Sequence, residues 1–276
     1  MFKQSLVKAL HKLKGNQTLL LDDPQKVWVV ESGTLALFAA KFEGKEITGD
    51  RRYLFSVSTG EALFGLASLT PKIEAENPSN FLTHNYPKDR IFAVAIEETE
   101  LLQLDLADLA AEIATKDIEI ISLLEGWIIH LSQSIAAFFI SNTDAKIQVS
   151  TSTSKSLSKG QILQSSSKSL LWVQVVKGSV AWMGIEELNL NNSSPIFPCA
   201  ALTWLEALSA VEIFTTTTTD LKNPDQLPES INLFHHYISW HLQTAYIQKI
   251  ETESQQFQQL EQLNRQVTEN ALNSLA

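Results

Sequence analysis

Apolar and polar positions alternate in short bursts over the first hundred residues, then recur every three to four positions, then return to short bursts. From Gly15 to Leu104 the bursts predict strands at Thr18–Leu21, Trp28–Val30, Leu35–Phe42, Tyr53–Val57, Phe92–Ile96 and Glu100–Leu104, punctuated by glycine and proline. Short strands at this spacing predict an antiparallel double-sheet roll. Residues 106–140 bring back Leu106, Leu109, Ile113, Ile120, Leu124, Ile128, Leu131, Ile135 and Phe138, the period of an amphipathic helix. One long helix, or two separated near Gly126, fits that pattern. The strand pattern resumes at Ile147 and runs to about Thr216, wordier in Ser, Thr and Asn. From Ile231 the pattern is helical to the end, with a thin stripe of Ile250, Phe257, Leu260, Leu263 and Val267 that needs a partner helix or more chain to cover it.

Two stretches say nearly the same thing. Val27-Trp-Val-Val-Glu-Ser-Gly-Thr-Leu-Ala-Leu-Phe38 reads as two strands joined at a Ser32-Gly33 turn, and Val173-Gln-Val-Val-Lys-Gly-Ser-Val-Ala-Trp-Met183 repeats it. Placing Gly33 on Gly178 gives an offset of 145 residues and sets Leu35 on Val180. A repeat of this length implies two copies of one β unit, each closing its own sheet. The expected fold is mainly β with α: two tandem double-sheet barrels, each followed by helix. The expected segments are an amphipathic helix over 1–14 (Phe2, Leu6, Leu10 and Leu13 on one stripe), a first barrel over 15–105, helix over 106–143, a second, reduced barrel over 144–220, and a C-terminal helix over 221–276. The polar stretch from Thr70 to Arg90 is long for a loop inside a barrel, and such loops are usually functional or mobile.

Charge changes the picture of partners. With 21 basic against 31 acidic residues the chain carries −10, which opposes a phosphate backbone, so nucleic acid is not an expected partner. Cys199 is the single cysteine, which allows no intrachain disulfide and reads as a small buried apolar residue. Residues 118–140 are long and apolar enough to raise a membrane span. Glu119, Glu125 and His130 argue against it, since one central carboxylate costs about 2.5–3.5 kcal/mol on insertion scales.

Enzyme chemistry is missing from the motifs. There is no phosphate loop of the G-x-x-x-x-G-K-[ST] type, no G-x-S-x-G elbow and no H-E-x-x-H helix. His235, His236 and His241 cluster in sequence, but His235 and His241 stand about 240° apart around a helix and cannot share a metal. No catalytic residue, metal or cofactor is expected. Trp172, Trp182 and Trp204 read as core fillers. The one stretch with a ligand logic is Ser58-Thr-Gly-Glu-Ala-Leu-Phe-Gly-Leu-Ala-Ser68, a glycine turn opening toward a helical turn whose backbone N–H groups can hold an anion.

The order of strand, Ser-Gly turn, strand, then Gly60-Glu-Ala-Leu-Phe-Gly65, then Ile91–Ile96, Glu100–Leu104 and a long helix resembles a cyclic-nucleotide-binding domain. The resemblance implies a ligand pocket of Gly60, Glu61, Phe64, Gly65, Leu66, Ala67 and Ser68, with an arginine for the cyclic phosphate. Leu66 occupies the place of the family's ribose-binding Glu. Asp89 stands where the arginine belongs, and Arg90 is one step away, which along a strand turns it to the other face. The pocket is therefore expected to be degenerate; a functional cyclic-nucleotide sensor using Arg90, or a dimerising scaffold, is the alternative.

Leu19–Gly33, Arg52–Gly65, Leu171-Trp-Val173, Trp182-Met-Gly184 and Thr203-Trp-Leu-Glu-Ala207 are further similar to the N-terminal region of ABC transporter permease/ATP-binding proteins of nitrile hydratase leader microcin export systems. That resemblance implies a non-enzymatic regulatory region at the cytoplasmic face of the inner membrane, ending where membrane spans and an ATPase would follow. Its implied partners are those domains, a leader peptide or a second transporter subunit, and a second copy of the chain.

Overall fold

The computed structural model describes residues 4–43, 46–66, 89–136, 146–165 and 170–242. Eight strands make the first barrel: β1 (Ala9–Leu13), β2 (Thr18–Leu20), β3 (Lys26–Ser32), β4 (Thr34–Glu43), β5 (Glu46–Ser58), β6 (Ala62–Phe64), β7 (Asp89–Ala95) and β8 (Thr99–Asp105). They form two antiparallel sheets ordered β1-β8-β3-β6 and β2-β7-β4-β5. That order, with consecutive strands shared between two sheets, is the double-sheet jelly roll. Two helices follow, α1 (Leu106–Ala114) and α2 (Ile118–Ala136).

Nine strands make the second barrel: β9 (Lys146–Val149), β10 (Thr153–Leu157), β11 (Ile162–Ser165), β12 (Leu171–Lys177), β13 (Ser179–Trp182), β14 (Ile185–Asn191), β15 (Phe197–Cys199), β16 (Trp204–Ala207) and β17 (Val211–Thr217). Their sheets run β10-β17-β12-β15 and β14-β13-β16-β11-β9, the first barrel's order over again with β9 added in parallel beside β11. The second barrel keeps the full strand order with a shorter hairpin, β13–β14 against β4–β5, and with residues 200–203 between β15 and β16 where the first barrel has residues 65–88 between β6 and β7. A helix over 227–242, α3, closes the described chain.

The repeat reaches the finest details. Gly33 (φ +89°) and Gly178 (φ +82°) both turn left-handed, and a Cβ on either would meet a backbone carbonyl, Glu98 O at 2.7 Å or Ala210 O at 2.4 Å. Only glycine tolerates that combination. The strand before each glycine carries a bulge at the matching place, between Val30 and Ser32 and between Val175 and Lys177. The turns after β1 and β10 match too: Lys14 N donates to Gln17 Oε1 and Ser158 N to Gln161 Oε1, both at 2.7 Å.

Two local expectations are corrected. The amphipathic helix expected over 1–14 is instead a single 3-10 turn (Gln4–Leu6) followed by strand β1, within the described part of that segment. Ala9 to Leu13 pair with Gln103 to Thr99, and Lys12 forms an ion pair with Glu100. A helix this short is marginal alone, whereas the open edge of β8 supplies a full ladder of backbone partners. The helical break lies at Thr115–Asp117, not near Gly126: Lys116 has φ +60°, and Asp117 Oδ1 accepts from Glu119 N (3.0 Å) and Ile120 N (3.3 Å), an N-cap for α2. No helix among the described residues is long and apolar enough to cross a membrane.

The apolar interiors of the two barrels are continuous through the helices. Ile120, Leu124, Trp127, Ile128, Leu131 and Ile135 of α2 are buried, as are Leu227, Ile231, Phe234, Ile238 and Leu242 of α3. The C-terminal stripe from Ile250 onward lies outside the described residues.

Candidate functional site

The predicted ligand stretch begins as a tight turn. Gly60 (φ +88°) donates its N–H to Val30 O at 2.9 Å, and Val30 N returns a bond to Glu61 O at 2.9 Å. The Glu61 carboxylate accepts from Ser58 N at 2.7 Å and stands 3.8 Å from His130 Nδ1 on α2. Phe64 is buried as the last residue of β6. Gly65 is pressed against the turn before β3, where an added Cβ would lie 1.8 Å from Asp23 O, so only glycine fits there. Its N–H donates to Lys26 O at 2.9 Å, and the N–H of Leu66 donates to Leu21 O at 2.7 Å. These two backbone donors are therefore engaged within the barrel. Ala67 and Ser68 lie outside the described residues.

Arg90 does not join this group on the barrel's inner face. Strand β7 sends Ile91, Ala93 and Ala95 into the main core, while Phe92 belongs to a separate cluster with Ala40 and Phe42. Arg90 shares the face of Phe92, two residues on, and its guanidinium lies 5.5 Å from the Phe42 ring centroid.

What the stretch does touch is α2. Phe64 stacks on Trp127 (5.8 Å, 24° between planes), and Phe55 meets the same indole edge-on at 5.9 Å. Trp127 Nε1 then donates to His235 Nε2 on α3 at 2.8 Å. Since His235 accepts at Nε2, its proton sits on Nδ1, and full burial drives its pKa down to about 3. His241 packs edge-on against Trp182 at 4.8 Å and burial lowers it to about 4. His235 thus faces α2 and His241 the second barrel. A second link runs from Trp172 Nε1 to Thr218 Oγ1 (3.0 Å) and from that hydroxyl to Glu125 Oε1 of α2 (2.6 Å). Burial raises the Glu125 pKa, with the Thr218 hydrogen bond opposing it. Arg52 adds a third link, donating from Nη1 to the carbonyl of Leu242 on α3 at 2.8 Å.

The second barrel offers no counterpart of the ligand stretch. Where residues 65–88 join β6 to β7, residues 200–203 alone join β15 to β16, and the buried Thr203 hydroxyl ties that turn to the N–H and C=O of Ala200, each at 3.1 Å. Cys199 beside it is buried, its thiol pushed up to about 11. A shallow cleft of about 290 Å³ lies instead on the outer sheet face, bordered by Gln174, Phe214, Thr216, Asp220 and Lys222. Asp220 is already engaged there by Ser152 and Thr217.

The sequence reading missed Trp127, Glu125 and Thr218 as the residues that join the parts. Trp127 sat unmarked in an apolar helical stretch, and nothing in the threonine run Thr215–Thr219 set Thr218 apart.

No family model matches the chain, and no curated protein matches it. Solved structures do. A CooA mutant from Carboxydothermus hydrogenoformans is 15% identical, with 49% of this chain covering 75% of that one at a TM-score of 0.32. The cAMP-bound PfPKA-R (141–441) is 12% identical, with 81% of this chain covering 75% of that one at a TM-score of 0.25. The Catabolite Activator Protein of Thermus thermophilus is 24% identical, with 44% of this chain covering 47% of that one at a TM-score of 0.27. Strand order by itself fixes the fold as a tandem pair of jelly rolls, and these three proteins are what the chain is similar to.

Proposed function

We propose that this chain is a non-catalytic regulatory and docking region of an ABC-type peptide exporter, built on a cyclic-nucleotide-binding-like scaffold whose phosphate grip is lost. The observation that carries the reading is the path from the ligand stretch to α3. Phe64, one residue before Gly65, stacks on Trp127, and Trp127 donates to His235. A partner that shifts β6 would therefore shift α3, and two sites can influence each other when a ligand binds two arrangements unequally. Loss of the grip is supported by the engaged N–H groups of Gly65 and Leu66 and by the outward face of Arg90. The exporter assignment itself rests on the sequence resemblance, with membrane spans, an ATPase and a second copy as the partners it implies.

Two experiments test it. Calorimetric titration with cAMP, cGMP and cyclic dinucleotides should give no heat; saturable binding abolished by Arg90→Ala establishes the sensor alternative instead. Cross-linking the tagged chain in its native cells should capture a permease/ATPase, and recovery without any transporter subunit removes the exporter role.

A further inference from the structure

The outer face of the sheet β2-β7-β4-β5 carries a patch that the docking reading leaves unused. Phe42 and Phe92 meet edge to face at 5.7 Å, Phe38 stacks on Phe92 at 5.8 Å, and Tyr53 meets Phe38 edge-on at 5.8 Å. Two guanidiniums lie on these rings: Arg51 Cζ is 5.9 Å from the Phe92 centroid and Arg90 Cζ is 5.5 Å from the Phe42 centroid. The register explains the placement. Arg90 pairs with Ala40 in β4, and Arg51 precedes Arg52, which pairs with Ala39 on the other side of β4. The two arginines thus flank the small Ala40 from either side on one sheet face.

Among the described residues neither guanidinium has an ion pair or a hydrogen bond, in a chain with 31 acidic and 21 basic residues. A ring within about 6 Å favours a cation without using its N–H donors, which stay available to a planar, two-oxygen acceptor. Beside them Tyr53 is 59% exposed.

We infer that this face docks an extended acidic peptide segment of a partner protein, its carboxylates paired with Arg51 and Arg90 and an aromatic or aliphatic side chain laid on Tyr53. The inference rests on the docking reading above and gives it a surface. Residues two apart in an extended segment project to one side about 7 Å apart, within reach of two arginines whose strands lie about 10 Å apart. A bare anion would leave the exposed Tyr53 ring unused, Phe42 and Phe92 being buried beneath the arginines. An anionic bilayer would draw on about 1 kcal/mol for each arginine against the chain's own charge of −10, so a peptide fits better.

The test is fluorescence anisotropy of the full chain with labelled Gly-Glu-Ser-Glu-Ser-Phe-Gly, its Gln-for-Glu counterpart, pyrophosphate as competitor and phosphatidylserine vesicles. The acidic peptide should bind and the Gln peptide should not, with about tenfold weakening by Arg51→Gln or Arg90→Gln and complete loss when both become Glu. Amide shift changes in the wild-type chain, confined to β4, β5 and β7, locate the contact without relying on a variant's folding. No anisotropy change up to about 1 mM peptide overturns the inference. So does binding that survives double charge reversal in a folded variant, displacement by equimolar pyrophosphate, or preference for vesicles. Capture of a transporter in cells is a separate readout, so the exporter role can fail while this surface stands, and the reverse.

Discussion

The two barrels share a strand order, a bulge and a pair of strained glycines, yet differ in one connection, β6 to β7 in the first and β15 to β16 in the second. In the first barrel residues 65–88 make that connection; in the second, residues 200–203 do, tied down by Thr203. The common parts are those a closed double sheet requires: left-handed turns where a Cβ would strike a carbonyl, and bulges that bend a strand to its neighbour. The connection is free of that requirement, and it is where ligand chemistry can be installed or removed. The second barrel has spent its surface elsewhere, on Trp182 and Phe197, which hold Phe234, Tyr237 and His241 of α3. One barrel therefore keeps a long connection there, and its copy serves as the seat of α3.

The largest effect should come from the shared indole. Trp127→Ala removes the ring that Phe64, Phe55 and His235 all touch and should lower stability by about 3–5 kcal/mol in urea unfolding. Trp182→Ala in the second barrel should cost a similar amount; a loss below about 1 kcal/mol for Trp127 would mean that the two barrels are not joined through α2.

Acidification comes next. His235 and His241 have folded pKa values of about 3 and about 4 against an ordinary 6.5, so the unfolded chain takes up protons that the folded chain refuses. Their contribution is complete above pH 6.5 and is lost as pH falls below it toward pH 4 and 3. At pH 5 the loss should be about 2 kcal/mol for each histidine. Replacing His235 by Gln, which removes one of the three lowered titrations (His235, His236 and His241), should reduce the acid sensitivity measured by unfolding at pH 7 and pH 5 by about 2 kcal/mol.

The smallest effect sharpens the equivalence of the copies. Gly33→Ala and Gly178→Ala each force a Cβ into a left-handed turn, a cost of about 2 kcal/mol before any relief of the clash. Matched losses in thermal unfolding support structural equivalence; a neutral Gly178→Ala would show that the second turn is free to relax.

Much of this was legible in advance because it follows local rules. The Gly33 and Gly178 turns announced the repeat, since left-handed turns name their glycines. The turn of Arg90 away from the core follows from a one-residue slip along a strand, because side chains alternate with a period of two. Leu6, Leu10 and Leu13 also fit a 3.6 period, so local spacing favours a helix over β1, and the edge that claims it lies in β8, about ninety residues on. The helix break does carry a local signal, Asp117 ahead of Ile118-Glu119-Ile120 as an N-cap.

The amino-acid order by itself determined the periods, the turns and the twofold use of one β unit, all settled by contacts between near neighbours. Tertiary structure decided what those periods left open: which edge claimed residues 9–13, which ring lies under each arginine, and that Trp127, Thr218 and Arg52 fasten α2 and α3 between the barrels. Such pairings join residues from 41 positions apart (Arg51 and Phe92) to 190 (Arg52 and Leu242), and their energy exists only once both partners have been brought into the same place.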